Sequence, residues 1–395
     1  MVSVIDLKKK AQEMNGQIVR WRRALHQIPE IGLNTPKTEK FILEELQALG
    51  VDEILYGEGR RGIVAHIRGK KPGKVLGIRA DYDGLNMTED TGLPFASTNG
   101  NMHSCGHDAH AAILLGTAKL LLGLREELSG TVKLIFQPAE EDGRGAPAMI
   151  EDGVLENPAL DGIIGLHTGS LWKGFRSGEA GYRFGALMAA SDWFTVTFHG
   201  RGGHGATPHL TVDPVAMACQ AVNLLQQIVS RETSPLDSAV VTVGTISGGT
   251  MRNIIPSECT IGGTFRSFSP EVRAHLTERV ARICEDTAKV LRGTATVDFT
   301  YGPPPVINDK GMTEKMKAAM EDVLGEDKVR EVEEPTMGGE DMAFFLEKVP
   351  GSFFFLPATY GDDRDYPHHH PKFDVNEDVL WIGAAVMTRF ALSWQ

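Results

Sequence analysis

The sequence has no apolar run long enough to cross a bilayer. The best stretch, residues 111–124, is interrupted by Lys119 and falls short of the roughly 20 residues that a spanning helix needs. The first ten residues lack the apolar segment of a secretion signal, so export is not expected. Cysteine is scarce. Cys105, Cys219, Cys259 and Cys284 are too few and too scattered for a disulfide framework in a chain of 395 residues, and a reducing cytoplasm is the expected compartment. Cys219, Cys259 and Cys284 sit in apolar or strand-like surroundings and are expected in the core; Cys105 stands apart. Positive charge is in deficit, 40 Lys and Arg against 52 Asp and Glu, a formal charge of −12. Nucleic acid attracts clustered positive charge, so neither it nor a membrane is an expected partner. Internal repeats and low-complexity linkers are missing as well.

What is present is the composition of an ordinary globular chain, 42% hydrophobic and 23% charged. The length suggests two domains, or three, at about 100–200 residues each. Helical periodicity runs through residues 7–25, 35–49 and 108–124, and strand-like apolar stretches occupy 63–67, 75–80, 131–136 and 163–166. Strands alternating with helices predict an α/β domain with a largely parallel sheet. Near residue 186 the pattern changes. Strand 192–199, helix 214–231, strands 239–246 and 258–268, helix 270–291 and strand 294–301 follow the order of a ferredoxin-like α+β unit. The reading is therefore a discontinuous first domain, residues 1–185 and 301–395, with a second domain inserted at 186–300. Helices and a short strand resume after the break at 302–305.

One motif misleads. Gly57-Glu58-Gly59-Arg60-Arg61-Gly62 matches the dinucleotide pattern, but that pattern works only at the start of a helix, where the helix N-terminus meets the pyrophosphate. A strand follows here, so the segment reads as a hairpin turn.

The informative feature is the density of metal-type ligands near strand ends. Met102-His103-Ser104-Cys105-Gly106-His107-Asp108-Ala109-His110 packs three His, one Cys and one Asp into eight residues. Thiolate and imidazole suit zinc and its neighbours, and Gly106 is a swivel that lets Cys105 and His107 face one ion. Asp108 is expected to cap the following helix or to steady a ligand from behind. Glu140 and Glu141 are adjacent acids just past a buried strand. With a metal the pair divides labour, one ligating and the other taking a proton from water; an exposed acidic loop is the plain alternative. His167 ends another strand, and His368-His369-His370 lie between prolines. Asp81 and Asp83 close a further strand and are placed to orient imidazoles. In the inserted domain, residues 202–209 form a glycine-rich loop with His204 and His209, while Asn253 and Arg266 offer an amide and a guanidinium to a carboxylate.

Together these residues resemble the aminoacylase/carboxypeptidase-G metallopeptidase family, in particular the amidohydrolase branch with hippurate, aminobenzoyl-glutamate and indole-acetyl-amino-acid hydrolases. The resemblance rests on R-A-D-Y-D, M-H-S-C-G-H-D-A-H, P-A-E-E, G-L-H, G-G-H-G-A-T-P-H, N-I-I-P, G-G-E-D-M and H-H-P, and runs from Arg23-Ala24-Leu25-His26 to the final helix. It implies a di-metal catalytic domain and an inserted dimerisation (lid) domain. It implies Cys105, His107, Glu141, His167 and His369 as ligands of two divalent cations per subunit, with His368 and His370 as alternatives to His369. Zinc or manganese leads, and cobalt and nickel remain compatible. Glu140 would be the general base, and His204 would reach the partner's active site in a homodimer, or in a higher oligomer. Asn253 and Arg266 would engage an N-acyl amino acid or a short peptide-like amide. The chain departs from the branch at Gly84-Leu85-Asn86, where Leu-Pro is usual, and at residues 167–173. Two other classes are weighed against this one. Cys105 as a nucleophile with His107 or His110 as base leaves the two glutamates and the His triplet without a task. A metal-storage protein has no use for Glu140.

Overall fold

The computed structural model describes residues 4–57 and 59–394, so Glu58 of the dinucleotide-like motif lies outside the described residues. A strand, Ile63–Arg68, follows that motif. Two compact units form: Met1–Leu187 with Ile307–Thr336 and Glu340–Gln395, and Met188–Val306 with Met337–Gly339.

The first unit is built on an eight-stranded sheet. Its centre is parallel: Ser129–Gln137 beside Lys71–Asp81, then Gly162–Gly169, then Gly351–Pro357. These strands are near-continuous in burial at their carboxyl-terminal halves, as a sheet covered on both faces requires. Antiparallel Ile63–Arg68 and Glu53–Leu55 close one edge. Helices Val4–His26, His107–Gly123, Lys310–Leu324 and Leu380–Ser393 supply much of one core cluster, with Ile18, Leu115, Met316 and Val386 among its buried members. The parallel register decides where chemistry collects. Asp81 pairs with Gln137, and His167 with Phe355, so the carboxyl ends of the central strands share one edge of the sheet, where open α/β folds gather ligands.

The second unit is a four-stranded antiparallel sheet with helices Pro214–Gln227 and Pro270–Val290 over a separate core. Ala190–His199 lies between Glu258–Ser267 and Thr294–Tyr301, with Ala239–Gly248 at the far edge. That strand order and the intervening helices are those of a ferredoxin-like unit. Each helix starts where its sequence says. Asp213 and Ser269 accept bonds from first-turn N–H groups, with Pro at the following position, a cap usually worth about 1 kcal/mol. One expectation fails. Cys259 and Cys284 are buried, but Cys219 is exposed, because the core stripe of its helix runs through Met217, Ala218, Ala221 and Leu225 and turns position 219 outward. Among the described residues no helix is long and apolar enough to cross a membrane.

Candidate metal centre

Cys105 and His107 flank Gly106, whose φ of 87° lies in the left-handed region and whose missing Cβ would stand 3.2 Å from Thr168. The sharp bend starts helix His107–Gly123 and turns both side chains the same way. Glu140 and Glu141 leave strand Ser129–Gln137 through Ala139, itself at φ 55°. His369 also has a positive φ, 63°. Non-glycine residues held there are uncommon and persist where the surroundings dictate them, often at functional sites.

The side chains converge. One ligand atom from each of Cys105, His107 and His167 lies within 4.8 Å of the others; the same holds for Cys105, Glu141 and His369, and for His107, Glu140 and Glu141. Cys105 Sγ is 3.4 Å from His167 Nε2, and His369 Nε2 is 3.4 Å from Glu141 Oε2. The His triplet sorts itself by geometry. His370 stacks on Tyr366 and its Nδ1 accepts from Lys372 N–H. His368 Nε2 accepts from Ser170 N–H, in space left by Gly169, where a Cβ would stand 2.5 Å from that nitrogen. His368 Nδ1 also comes 3.7 Å from Cys105 Sγ, but it is His369 that groups with both Cys105 and Glu141, and its backbone N–H donates to Ser104 O.

The groups behind these atoms fix tautomers. His107 Nδ1 is 3.0 Å from Asp83 O, His167 Nδ1 is 2.8 Å from Thr168 O, and each imidazole thus turns Nε2 toward the cluster. Asp83 also accepts from the backbone N–H of Glu140 and of Glu141, so one carboxylate sets three neighbouring groups. His110 forms a further group with Asp81 and His107, but both its ring nitrogens are engaged: Nδ1 faces Asp81 at 2.5 Å and Nε2 accepts from Thr168 N–H. Asp108 does not cap its helix, whose N-cap is Gly106 without a side-chain bond. It turns instead to Arg22 and His26.

Beneath lie further residues of the R-A-D-Y-D and G-G-E-D-M motifs, ones with no individual task assigned from the sequence. Arg79, fully buried, donates to Gln137, Asp81 and Asp341 and lies 3.0 Å from Glu340. Asp341 N–H in turn donates to Glu140 Oε1 at 3.3 Å. The hints were the two motifs themselves and an arginine inside an otherwise apolar strand.

The electrostatics describe a site short of positive charge. Burial, with Glu340 and Glu141 nearby, pushes the Glu140 carboxyl well above its usual range. Burial also moves Glu141 to about 7, with Asp83 and Asp81 adding to it, and raises the Cys105 thiol, with Glu141 next in effect. Two buried atoms, His107 Nε2 and Glu141 Oε1, have no hydrogen-bond partner. Orphaned donor atoms beside crowded acids are what a divalent cation satisfies, and a mixed set of thiol, imidazole and carboxylate fits a borderline metal.

His204, Asn253 and Arg266 belong to the second unit. His204 is exposed, on a two-residue strand paired with Ile254–Ile255, and Gly205 N–H donates to Asn253 O, so His204 and Asn253 share one loop pair. Arg266 lies over the Trp193 ring, and its Nη1 donates to Thr264 and to Asp192 O.

Residues 77–393 match the model of Peptidase family M20/M25/M40. The chain is 39% identical over 384 residues to the N-acetyl-L-cysteine deacetylase of Bacillus subtilis (strain 168), covering 95% of this chain and 89% of that one. It is 40% identical over 376 residues to the IAA-amino acid hydrolase ILR1-like 4 of Arabidopsis thaliana, covering 94% and 84%. Among solved structures it superposes with a TM-score of 0.83, at 33% identity over 96% of this chain and 98% of the other, on the YXEP protein of Bacillus subtilis, described as a dinuclear metal binding peptidase from the M20 family.

Proposed function

The chain belongs to peptidase family M20/M25/M40, and its relatives include a deacetylase and a dinuclear metal binding peptidase; from that premise we propose that it cleaves the amide bond of N-acyl amino acids or short peptide-like amides at the cluster around Cys105. The observation that carries the reading is the convergence of Cys105, His107, Glu141, His167 and His369 around orphaned ligand atoms, with Glu140 beside them. Those five residues would hold two divalent cations. Zinc or manganese is the first choice, and cobalt or nickel is compatible with the same donors. When bound, such a pair supplies Lewis-acid polarisation of the amide carbonyl and lowers the pKa of water, from 15.7 toward about 7 in favourable cases.

The chain does the rest. Asp341 N–H holds Glu140 Oε1, which leaves Oε2 to take a proton from the attacking water. Glu140 then passes that proton to the departing amine. Asp83 keeps Glu140, Glu141 and His107 in register throughout. Asn253 and Arg266 anchor the substrate's carboxylate. Residues 1–185 and 301–395 form the catalytic domain, and residues 186–300 the dimerisation and lid domain. His204 then serves the oxyanion in the partner subunit of a homodimer, where one such donor is typically worth about 10²–10³ in rate. Four free thiols suit a reducing cytoplasm.

A panel of N-acetyl and N-benzoyl amino acids and dipeptides tests the substrate class, read by release of the free amine. Turnover of at least one acyl amino acid by the metal-loaded enzyme is expected, and a blank panel would remove the proposal. Trans catalysis has its own check. His204→Ala and Glu140→Gln, each inactive alone, should regain activity when mixed as heterodimers. Absence of rescue, with subunit exchange demonstrated by tagged chains, counts against it.

A further inference from the structure

Helix Val4–His26 places Arg22 and His26 one turn apart, and both side chains are buried. Arg22 Nε donates to Asp108 Oδ2 at 3.0 Å, Nη2 to Asp374 Oδ1 at 2.5 Å and Nη1 to Glu377 Oε1 at 3.0 Å. His26 Nδ1 stands 2.7 Å from the same Asp108 oxygen, and its Nε2 is 3.1 Å from Glu89. Asp374 has a second partner, since its Oδ2 accepts from the Tyr360 hydroxyl at 2.6 Å, and that hydroxyl also reaches Val375 O. Tyr360 and Asp374 therefore clasp the two ends of the loop that carries His368 to His370.

The wiring has a direction. Asp108 directly follows His107, and Asp374 closes the loop of His369, so a single guanidinium ties the two segments that bear these imidazoles. None of its partners belongs to the ligand set. Stability gives little reason for such an arrangement, because apolar residues of similar volume often serve a core as well as a buried ion network does. What a planar fork of donors adds, and an apolar residue cannot, is a fixed spacing between chain segments. We propose that Arg22 is a positioning residue for the metal centre, holding the His107 and His369 segments at the separation that cation binding requires. The proposal rests on the metal reading above.

The test needs no substrate. Cobalt(II) is titrated into the metal-stripped full chain and followed by the thiolate-to-cobalt charge-transfer band that Cys105 would give. Arg22→Met is expected to weaken cobalt binding by about 10–100-fold, the usual effect of losing support behind a ligand. Arg22→Lys keeps the charge but not the fork and falls between it and wild type. Tyr360→Phe removes only the clasp and should cost roughly 2–10-fold, the factor carried by one hydrogen bond. Glu377→Ala is the structural control. It also strips a partner from Arg22 and Arg23, but it leads to the last helix rather than to a ligand, so it should lower the urea midpoint and leave cobalt affinity unchanged. If Arg22→Met does not fold, Tyr360→Phe against Glu377→Ala decides. Wild-type cobalt affinity in Arg22→Met or Tyr360→Phe overturns the inference, as does a loss that tracks the urea midpoint across all variants. A wild type that binds no cobalt through its thiol sinks the metal reading and this inference together; unchanged variants beside a cobalt-binding wild type sink only the inference.

Discussion

Glu140→Gln is expected to lower kcat by about 10²–10⁴-fold, the usual contribution of a general base, while two metal ions per subunit are retained. The substitution is close to isosteric. Gln keeps an oxygen to accept from Asp341 N–H but has no basicity, so the variant separates proton transfer from folding and ligation. Neighbouring acids are poor substitutes. Glu340 is engaged by Arg79 and by Met342 N–H, and Asp341 by Arg79, Gln137 and Ala146 N–H. Both are tied down, whereas Glu140 has one oxygen held by Asp341 N–H and the other 3.9 Å from His107 Nε2. Measured kcat with elemental analysis checks the assignment, and near-wild-type turnover in the variant would defeat it.

Removing the metal is expected to abolish hydrolysis altogether, with recovery on adding back zinc or manganese. A cysteine nucleophile predicts the opposite, since a thiol enzyme survives chelation. The structure gives a reason to prefer the first outcome. Burial holds the Cys105 thiol well above its ordinary range, with Glu141 adding to it, so without a cation almost no thiolate exists at neutral pH to attack anything. Loading should also depend on pH in a definite direction. Burial carries Glu141 up to about 7, and its carboxylate must be ionised to ligate. Protons therefore compete with the cation as pH falls through 7, and metal affinity should drop on the acid side. Full activity in the metal-free protein would return the argument to Cys105.

Much of the candidate centre was legible because its proposed ligands come in short local clusters. Cys105-Gly106-His107, Glu140-Glu141 and the His triplet each declare a metal-type donor set within a few residues, and strand-like segments next to them suggest a shared sheet edge. The folded chain brings these clusters together at the carboxyl ends of its central strands. The supporting groups were not legible. Arg22 meets Asp108, Asp374 and Glu377 across 86, 352 and 355 positions, and Arg79 meets Asp341 across 262. Arg79 and Asp341 stand in the R-A-D-Y-D and G-G-E-D-M motifs, but nothing along the chain says that the two meet. Cys219 failed for a related reason, since apolar neighbours in sequence do not say which side of a helix a residue takes.

The sequence alone determined the alternation of strands and helices, the inserted ferredoxin-like order, and which residue types could ligate a cation, because each is a property of neighbours along the chain. Only the tertiary structure shows that His369 groups with both Cys105 and Glu141 while His368 reaches Cys105, that Asp81 faces His110, and that Arg22 and Arg79 tie together segments behind them. Those outcomes depend on distances between segments far apart in the chain, and such distances are set by packing and backbone conformation, not by composition or spacing.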